Sequence, residues 1–216
     1  MNHEAGQPSR TSPLVRSDPE AVWAASESRD GAPTGYSELV NQLRVLLDHV
    51  AAAAPPSIMV REITKLVEEI NVRLLPHAVP ERNQLAGRLV SIPGRAQLLV
   101  PAYSVDELDD RAMAGGVRFR RHHLGSNNAA HGGAIALLFD DVLGRLARTG
   151  GRPRSRTAYI HVDYRSVTPI DEDLQIECWF DREEGRKRFM RGILRAGDRV
   201  CAEADGLFIV LRPGQP

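Results

Sequence analysis

The sequence has little cysteine, no net charge and no long apolar run. Its 216 residues include two cysteines, 28 basic and 28 acidic side chains, and 42% apolar residues. Cys178 and Cys201 lack metal-ligand spacing, which predicts buried, reduced thiols and a cytoplasmic protein. The balanced charge argues against nucleic-acid binding and against a membrane-surface role. No stretch approaches the ~18 apolar residues of a membrane span, so we expect no spanning segment.

The chain divides into three predicted regions. Residues 1–35 are rich in Ser, Pro, Gly and acidic residues without a hydrophobic period, which predicts a disordered tail. Residues 36–78 carry two amphipathic runs separated by Pro55-Pro56. These runs predict a helical hairpin extension that packs on the rest of the chain or on a partner. Residues 79–216 are long enough for one complete domain.

The hydrophobic pattern in the main domain predicts several strands and one helix. Val117–His123 alternates as a strand, and residues 131–148 have a helical period. Four further strands follow, at 156–165, 172–181, 187–196 and 199–211. Residues 97–100 are a weaker strand candidate, and Asp106–Asp110 is predicted as a loop or short helical turn. This order predicts an α+β fold with an antiparallel sheet around one central helix.

The start of the predicted helix carries the residues with the clearest chemistry. Gly132 and Gly133 follow His131, and backbone N–H groups at a helix N-terminus can hold a developing oxyanion. Asp140 lies off the apolar stripe of the helix, among small residues, where a carboxylate can activate water. The pattern indicates hydrolysis of an acyl ester or thioester. The structural alternatives are a tight helix entry at the glycines and a packing role for His131.

The spacing along this helix makes two further predictions. Asp141 has Arg145 four residues on and Arg148 seven on, which is the spacing of surface salt bridges. Gly132 and Asp140 are about 12 Å apart along a helix, because each residue adds 1.5 Å. One small carbonyl group cannot contact both residues of the same helix. We therefore predict a two-fold dimer with antiparallel helices, in which each site takes Gly132 from one subunit and Asp140 from the other.

Residues 131–144, HGGAIALLFDDVLG, resemble the HGG-x-I-x-x-L-x-D-x-x-x-G signature of hotdog-fold acyl-CoA thioesterases of the phenylacetate-pathway type. The resemblance spans about residues 115–211 and includes the EGRK turn at 184–187. In this region the chain is similar to the animal branch of the family that contains thioesterase superfamily members 4 and 5. The resemblance implies a hotdog fold, in which the sheet wraps around the helix. It also implies an acyl-CoA substrate, no cofactor or metal, and a homodimer or dimer of dimers.

The resemblance implies roles for four residues of a catalytic site. An aspartate at the position of Asp140 acts as general base or nucleophile. The backbone N–H at Gly132 polarises the thioester carbonyl, and His131 helps to shape the site. A threonine at the position of Thr157 helps to position the water molecule.

The resemblance also implies substrate-binding positions. Arg186 and Lys187 match a basic turn where coenzyme A phosphates are often bound, and arginine can contact phosphate through two hydrogen bonds. A solvated turn is the alternative there. Gly133 and Asn128 border the expected thioester position. Asn128 stands where the family usually has glycine, and asparagine tolerates a left-handed backbone.

Other functions remain as alternatives. A non-catalytic acyl-CoA-binding or regulatory hotdog module is compatible with the fold, although a pure binder gains little from a carboxylate beside a thioester. Enoyl-CoA hydratases of this fold typically have histidine where this chain has Arg145. A serine hydrolase is disfavoured because there is no Gly-x-Ser-x-Gly motif. A metal site at His122-His123 is disfavoured because adjacent strand residues point to opposite faces.

Overall fold

The computed structural model describes residues 31–215, so the predicted tail at 1–35 falls almost entirely outside the described residues. Three α-helices are present among them: α1 at Tyr36–Ala52, α2 at Ser57–Leu74 and α3 at Gly132–Leu146. The strands are β1 Glu107–Leu108, β2 Ala112–Val117, β3 Ser155–Tyr164, β4 Leu174–Glu184, β5 Lys187–Ala196 and β6 Arg199–Val210. The central helix, both N-terminal helices and the four C-terminal strands of the prediction are confirmed.

The six strands form one sheet in the order β1-β2-β4-β5-β6-β3, with antiparallel pairing throughout. Helix α3 packs against one face of this sheet, which confirms the predicted α+β hotdog fold. Within the described chain, β3 pairs only with β6 and lies at the edge of the sheet. One side of β3 therefore has backbone N–H and C=O groups available to a further strand.

The core lies between α3 and the sheet. The apolar residues recur at the helical period in α3 and at every second position in the strands, so each element has one apolar face. Leu138, Phe139 and Val142 of α3 have no exposed surface. Strand β4 alternates between buried and exposed residues from Leu174 to Phe180. Each such large apolar side chain contributes roughly 1.5–3 kcal/mol when it is fully buried. The main cluster of buried apolar residues therefore lies at the predicted helix–sheet interface.

The prediction of a strand at Val117–His123 is wrong. Strand β2 ends at Val117, and Arg121–His123 is a 3-10 turn. Strand β2 begins earlier than predicted, and at Gly115 the backbone of Ser104 packs closely against it. A Cβ atom added at Gly115 would lie 2.0 Å from the Ser104 carbonyl oxygen, so only glycine allows this approach. Gly115 has no side chain to contribute to an alternating pattern, which is why the sequence did not reveal β2.

Two weaker predictions on the approach to β2 also need correction. No strand forms at residues 97–100, because Gln97 ends a 3-10 turn and residues 98–100 form bends. Within Asp106–Asp110, Glu107 and Leu108 form the short strand β1, which pairs with β2. A two-residue strand leaves too little alternation to be recognised from sequence.

The predicted N-terminal extension packs on the main domain through its first helix, and packing of the hairpin on a partner stays a prediction. Helix α1 packs on the main domain through Val40 and Arg44, and the Arg44 Nη2 donates hydrogen bonds of 2.8 Å to the carbonyl oxygens of Pro93 and Gln97. Burial lowers the pKa of Arg44 to about 10. Helix α2, by contrast, has no buried residue. The extension is therefore anchored by α1 alone.

Candidate active site

His131 caps the N-terminus of α3. Its Nδ1 accepts a hydrogen bond of 3.0 Å from the Gly133 N–H, and its carbonyl oxygen accepts from Ala134 and Ile135. Within the part of the chain that the structure describes, no group accepts a hydrogen bond from the Gly132 N–H. The first N–H groups of a helix have no intrahelical partner, so Gly132 presents a free donor at the positive end of the helix dipole. This is the donor that an oxyanion needs.

The loop before α3 is fixed by backbone geometry. Asn127 and Asn128 have φ of 50° and 57°, so the expected left-handed conformation at Asn128 is confirmed. The His131 N–H donates to the carbonyl oxygen of His123, and the Ala130 N–H donates to that of Thr168, both at 2.8 Å. These bonds hold the helix N-terminus in one orientation.

Two residues that sequence reasoning missed lie at the same end of α3. A pocket is lined by Gly132, Gly133, Tyr164 and Thr168. The Tyr164 hydroxyl donates to the Gly132 carbonyl oxygen at 2.9 Å. The Thr168 Oγ1 is buried without a hydrogen-bond partner, an arrangement that costs stability unless a ligand or water supplies one. Nothing in the sequence around Thr168 predicts that it lines this pocket.

Asp140 and Thr157, both predicted as site residues, contact each other in the structure. The Thr157 Oγ1 donates a hydrogen bond of 2.8 Å to the Asp140 Oδ1, and both residues are exposed. A β-bulge at Ala158 produces this contact, because it shifts the pairing register of β3 by one residue between Thr157 and Tyr159. Thr157 thus faces α3 together with Ile160, although an unbroken strand would turn them to opposite faces.

The two ends of the predicted site are on one helix but far apart. Gly132 is the first residue of α3 and Asp140 the ninth, so they are separated by about 12 Å along the axis. The described chain therefore has an oxyanion donor and a carboxylate that cannot act on the same carbonyl group. The geometry that motivated a shared dimer site is present, and the shared site stays a prediction.

Asp141 is not a surface residue, so its predicted salt bridges with Arg145 and Arg148 are wrong. It is 8% exposed and accepts hydrogen bonds from the Arg95 guanidinium and from the Tyr103 hydroxyl, the latter at 2.7 Å. Burial and the charge of Asp141 raise the pKa of Tyr103. Burial alone would lower the pKa of Arg95, but the hydrogen bond and charge of Asp141 raise it. Asp141 therefore anchors α3 to the preceding loop.

The basic turn makes no direct bond to either end of the site among the described residues, although the strand register sets Lys187 in the same row of the sheet as Arg156, next to Thr157. Arg186 and Lys187 connect β4 and β5, and the Arg186 Nη1 donates to the Val210 carbonyl oxygen at 2.9 Å. Among the described residues, no hydrogen bond or ion pair joins this turn to Gly132 or Asp140. The proposed contact with coenzyme A phosphates stays a prediction.

Neither a metal cluster nor a membrane helix is found in residues 31–215. No group of three or more His, Cys, Asp or Glu side chains there has a metal-binding arrangement. His122 and His123 belong to the 3-10 turn rather than to a strand, with ring centroids 3.9 Å apart. None of the helices described is both long and apolar enough to cross a bilayer.

Comparisons with known proteins find relatives for part of the chain. Residues 127–203 match the family model of the Thioesterase superfamily. This segment is similar to thioesterase superfamily domains. It contains α3, β3, β4 and β5, together with every residue predicted for catalysis or substrate binding.

Relatives of the chain include two mammalian proteins. The acyl-coenzyme A thioesterase THEM4 of Bos taurus is 36% identical over 85 residues, which cover 38% of this chain and 34% of that protein. THEM4 of Rattus norvegicus is 31% identical over 97 residues, covering 44% of this chain and 41% of that protein. The chain thus matches about a third to two fifths of the length of these relatives.

A solved crystal structure extends the likeness beyond the main domain. A thioesterase superfamily protein of 25% identity superposes with a TM-score of 0.71, covering 83% of this chain and 92% of its own. Residues 79–216 are only 138 of the 216 residues of this chain. The structural likeness therefore includes residues of the extension before residue 79.

His123, below the helix N-terminus, gives the fold a pH dependence. It is 7% exposed, and burial lowers its pKa from 6.5 to about 4, assisted by the neighbouring His122. Between these pH values the unfolded chain binds a proton at His123 that the folded chain does not. The free energy of unfolding is therefore expected to fall by about 3 kcal/mol as the pH drops from 6.5 to 4.

Urea unfolding at several pH values measures this dependence. His123→Gln is expected to flatten the slope between pH 4.5 and 6.5, whatever its effect on absolute stability. The matched control, His77→Gln, makes the same change on the exposed surface. If the free energy of unfolding of His123→Gln has the same pH slope as that of the native chain, another group causes the pH dependence.

Proposed function

We propose that this protein hydrolyses the thioester of an acyl-coenzyme A to a free acid and coenzyme A. One observation carries the proposal: α3 has a free Gly132 N–H at its start and an Asp140 carboxylate held by Thr157 further along. The first is an oxyanion donor, and the second is a general base or nucleophile. The match of residues 127–203 to the Thioesterase superfamily supports the same chemistry.

The proposed reaction is an acyl transfer to water. With Asp140 as general base, the carboxylate takes a proton from water while the water oxygen attacks the thioester carbonyl carbon. The negative charge on the carbonyl oxygen is stabilised by the Gly132 N–H. The C–S bond then breaks, and the thiolate of coenzyme A leaves. With Asp140 as nucleophile, its carboxylate attacks the carbonyl carbon, the C–S bond breaks and the coenzyme A thiolate leaves, which forms an acyl-enzyme anhydride. Water cleaves this anhydride in a second step to the free acid and the Asp140 carboxylate.

The active site of the proposal is shared between two copies of the chain. The separation of Gly132 and Asp140 along α3 excludes one copy acting alone on one carbonyl group. The free edge of β3 supports a pairing in which the sheet continues into a second copy. Antiparallel α3 helices then bring Gly132 of one copy to Asp140 of the other.

The surroundings of Gly132 suit the polar part of an acyl-CoA. Thr168 lines the pocket beside Gly132 and Gly133, and its buried hydroxyl has no hydrogen-bond partner among the described residues. Asn128 precedes this pocket in a left-handed conformation. Arg186 and Lys187 supply positive charge for the phosphates of coenzyme A.

Thr157 is expected to orient Asp140 rather than to react. Thr157→Val removes the hydroxyl with little change of shape and is expected to lower kcat about tenfold or more, since hydrogen bonds to charged groups contribute roughly 1.5–3 kcal/mol. Thr157→Ser keeps the hydroxyl and is the matched control, with most of kcat retained. Steady-state kinetics on one acyl-CoA measures both. Equal kcat in the two variants would contradict the positioning role.

Thiol release from a panel of acyl-CoAs, short, long and aromatic, tests the function itself. Hydrolysis of at least one member well above the uncatalysed rate is the expected result. The second candidate function is a non-catalytic acyl-CoA-binding or regulatory module. Binding of acyl-CoA without hydrolysis of any thioester in the panel would favour that module instead.

A further inference from the structure

Helix α2 is amphipathic, and its apolar side is open to solvent. Its 18 residues, Ser57–Leu74, include none that is buried. Met59 is 46% exposed, Leu66 58% and Ile70 44%. An apolar patch on this scale normally marks a contact surface. Helix α2 therefore presents a surface that the described residues of its own chain do not cover.

The apolar side chains of α2 form one continuous stripe. At 100° per residue, seven of them fall within an arc of about 120°. They are Met59, Val60, Ile63, Leu66, Val67, Ile70 and Leu74. The rest of the circumference is mostly polar, with two apolar side chains, Ile58 and Val72, and six charged ones, namely Arg61, Glu62, Lys65, Glu68, Glu69 and Arg73. A helix divided in this way buries its stripe against another surface.

Six of the seven stripe residues have the same spacing when the stripe is read in either direction, and the seventh, Val60, is mirrored by Arg73. Three pairs lie at equal distances from its midpoint: Leu66 with Val67, Ile63 with Ile70, and Met59 with Leu74. A two-fold axis through that midpoint sets each residue opposite its pair, as a contact between identical surfaces requires. We infer that α2 pairs in antiparallel orientation with the α2 of a second copy of this chain.

The charges of α2 agree with a second copy and not with a lipid surface. Helices that lie on anionic membranes are rich in Lys and Arg on their polar face, whereas α2 carries three basic and three acidic residues. Glu62 and Arg73 border the stripe on the same side of the helix. In the antiparallel pair, Glu62 lies at nearly the same height as the partner's Arg73, where opposite charges attract.

Disulfide cross-linking of the full-length chain tests the antiparallel pairing. Ile63→Cys and Ile70→Cys are made in separate, differently tagged copies, which are co-expressed and then oxidised. The expected result is a covalent dimer that contains both tags, because the paired positions lie opposite one another. Ile63→Cys expressed alone is expected to give at least about tenfold less dimer, since its two copies are about 10 Å apart along the helix axis and disulfides do not span such distances.

A matched control comes from the opposite face of α2. Lys65 and Glu68 are also equidistant from the midpoint, but they lie away from the stripe. Co-expressed Lys65→Cys and Glu68→Cys are expected to give no more dimer than the native chain, whose Cys178 and Cys201 are buried. Leu66→Asp, added to both copies of the Ile63→Cys and Ile70→Cys pair, is expected to abolish the cross-link.

Three outcomes would overturn the inference. The first is that no mixed dimer forms. The second is that Ile63→Cys alone gives as much dimer as the Ile63→Cys and Ile70→Cys pair. The third is that the Lys65→Cys and Glu68→Cys pair gives as much dimer as that pair. Cosedimentation of the native chain with anionic vesicles, without the mixed cross-link, would assign the stripe to lipid instead. Pairing through α2 is independent of the proposed hydrolysis, because no residue of α2 belongs to the candidate active site.

Discussion

Replacing Asp140 with asparagine is expected to lower kcat for thioester hydrolysis by about 10²–10⁴-fold, the range that a positioned general base contributes. The amide keeps the size of the side chain and can still accept the hydrogen bond from Thr157. It can neither take a proton from water nor attack the carbonyl carbon. Binding of the acyl-CoA is expected to change little, since Asp140 acts in the chemical step.

Single-turnover thiol release, with acyl-CoA binding measured in parallel, separates these effects. Asp198→Asn is the matched control, because it removes one exposed carboxylate at the turn between β5 and β6. If Asp198→Asn releases thiol at the native rate and Asp140→Asn does not, the effect depends on the position of Asp140 and not on the loss of one negative charge. If Asp140→Asn keeps the native kcat, Asp140 is neither base nor nucleophile.

Removing the Gly132 N–H is the second change expected to have a large effect. Proline is tolerated at the first residue of a helix and has no N–H, and His131 already has the extended backbone, ψ 131°, that a residue before proline prefers. Gly132→Pro is therefore expected to preserve the fold and to lower kcat about 10²–10³-fold, as loss of one oxyanion donor does.

Gly132→Ala is the matched control for the added carbon atoms. A Cβ at this position would lie 3.2 Å from the Tyr164 hydroxyl, so a small shift of that side chain is expected. The N–H remains, and kcat is expected to fall much less than in Gly132→Pro. Similar losses in both variants would attribute the effect to crowding at Tyr164.

The two inactive variants together test the shared site. When Asp140→Asn and Gly132→Pro chains are co-expressed, half of the dimers contain one of each. One site of each mixed dimer then has both native residues, so about a quarter of the native activity is expected to return. A site built within one copy would be defective in every chain. Activity of the mixture no higher than that of the separate variants would therefore contradict the shared site.

The sequence alone determined the elements whose signal is periodic and local. The apolar stripe of α3 and the alternation of β4 were readable because each face packs against one surface. The N-terminus of α3 could be predicted from the sequence, because a histidine followed by two glycines before an apolar helical run is typical of a helix start. Asp140 and Thr157 were singled out through the family resemblance, but their contact was not, because the bulge at Ala158 that joins them leaves no pattern in the sequence.

Tertiary structure decided what depends on residues distant along the chain. Asp141 has the spacing of a surface residue, yet it is buried because Arg95 and Tyr103 reach it from a loop some forty residues earlier. Strand β2 has its position because the backbone at Ser104 needs the space that Gly115 leaves. Such contacts join segments with no local period in common. Their energies depend on which surfaces meet in three dimensions, and a one-dimensional pattern does not contain that information.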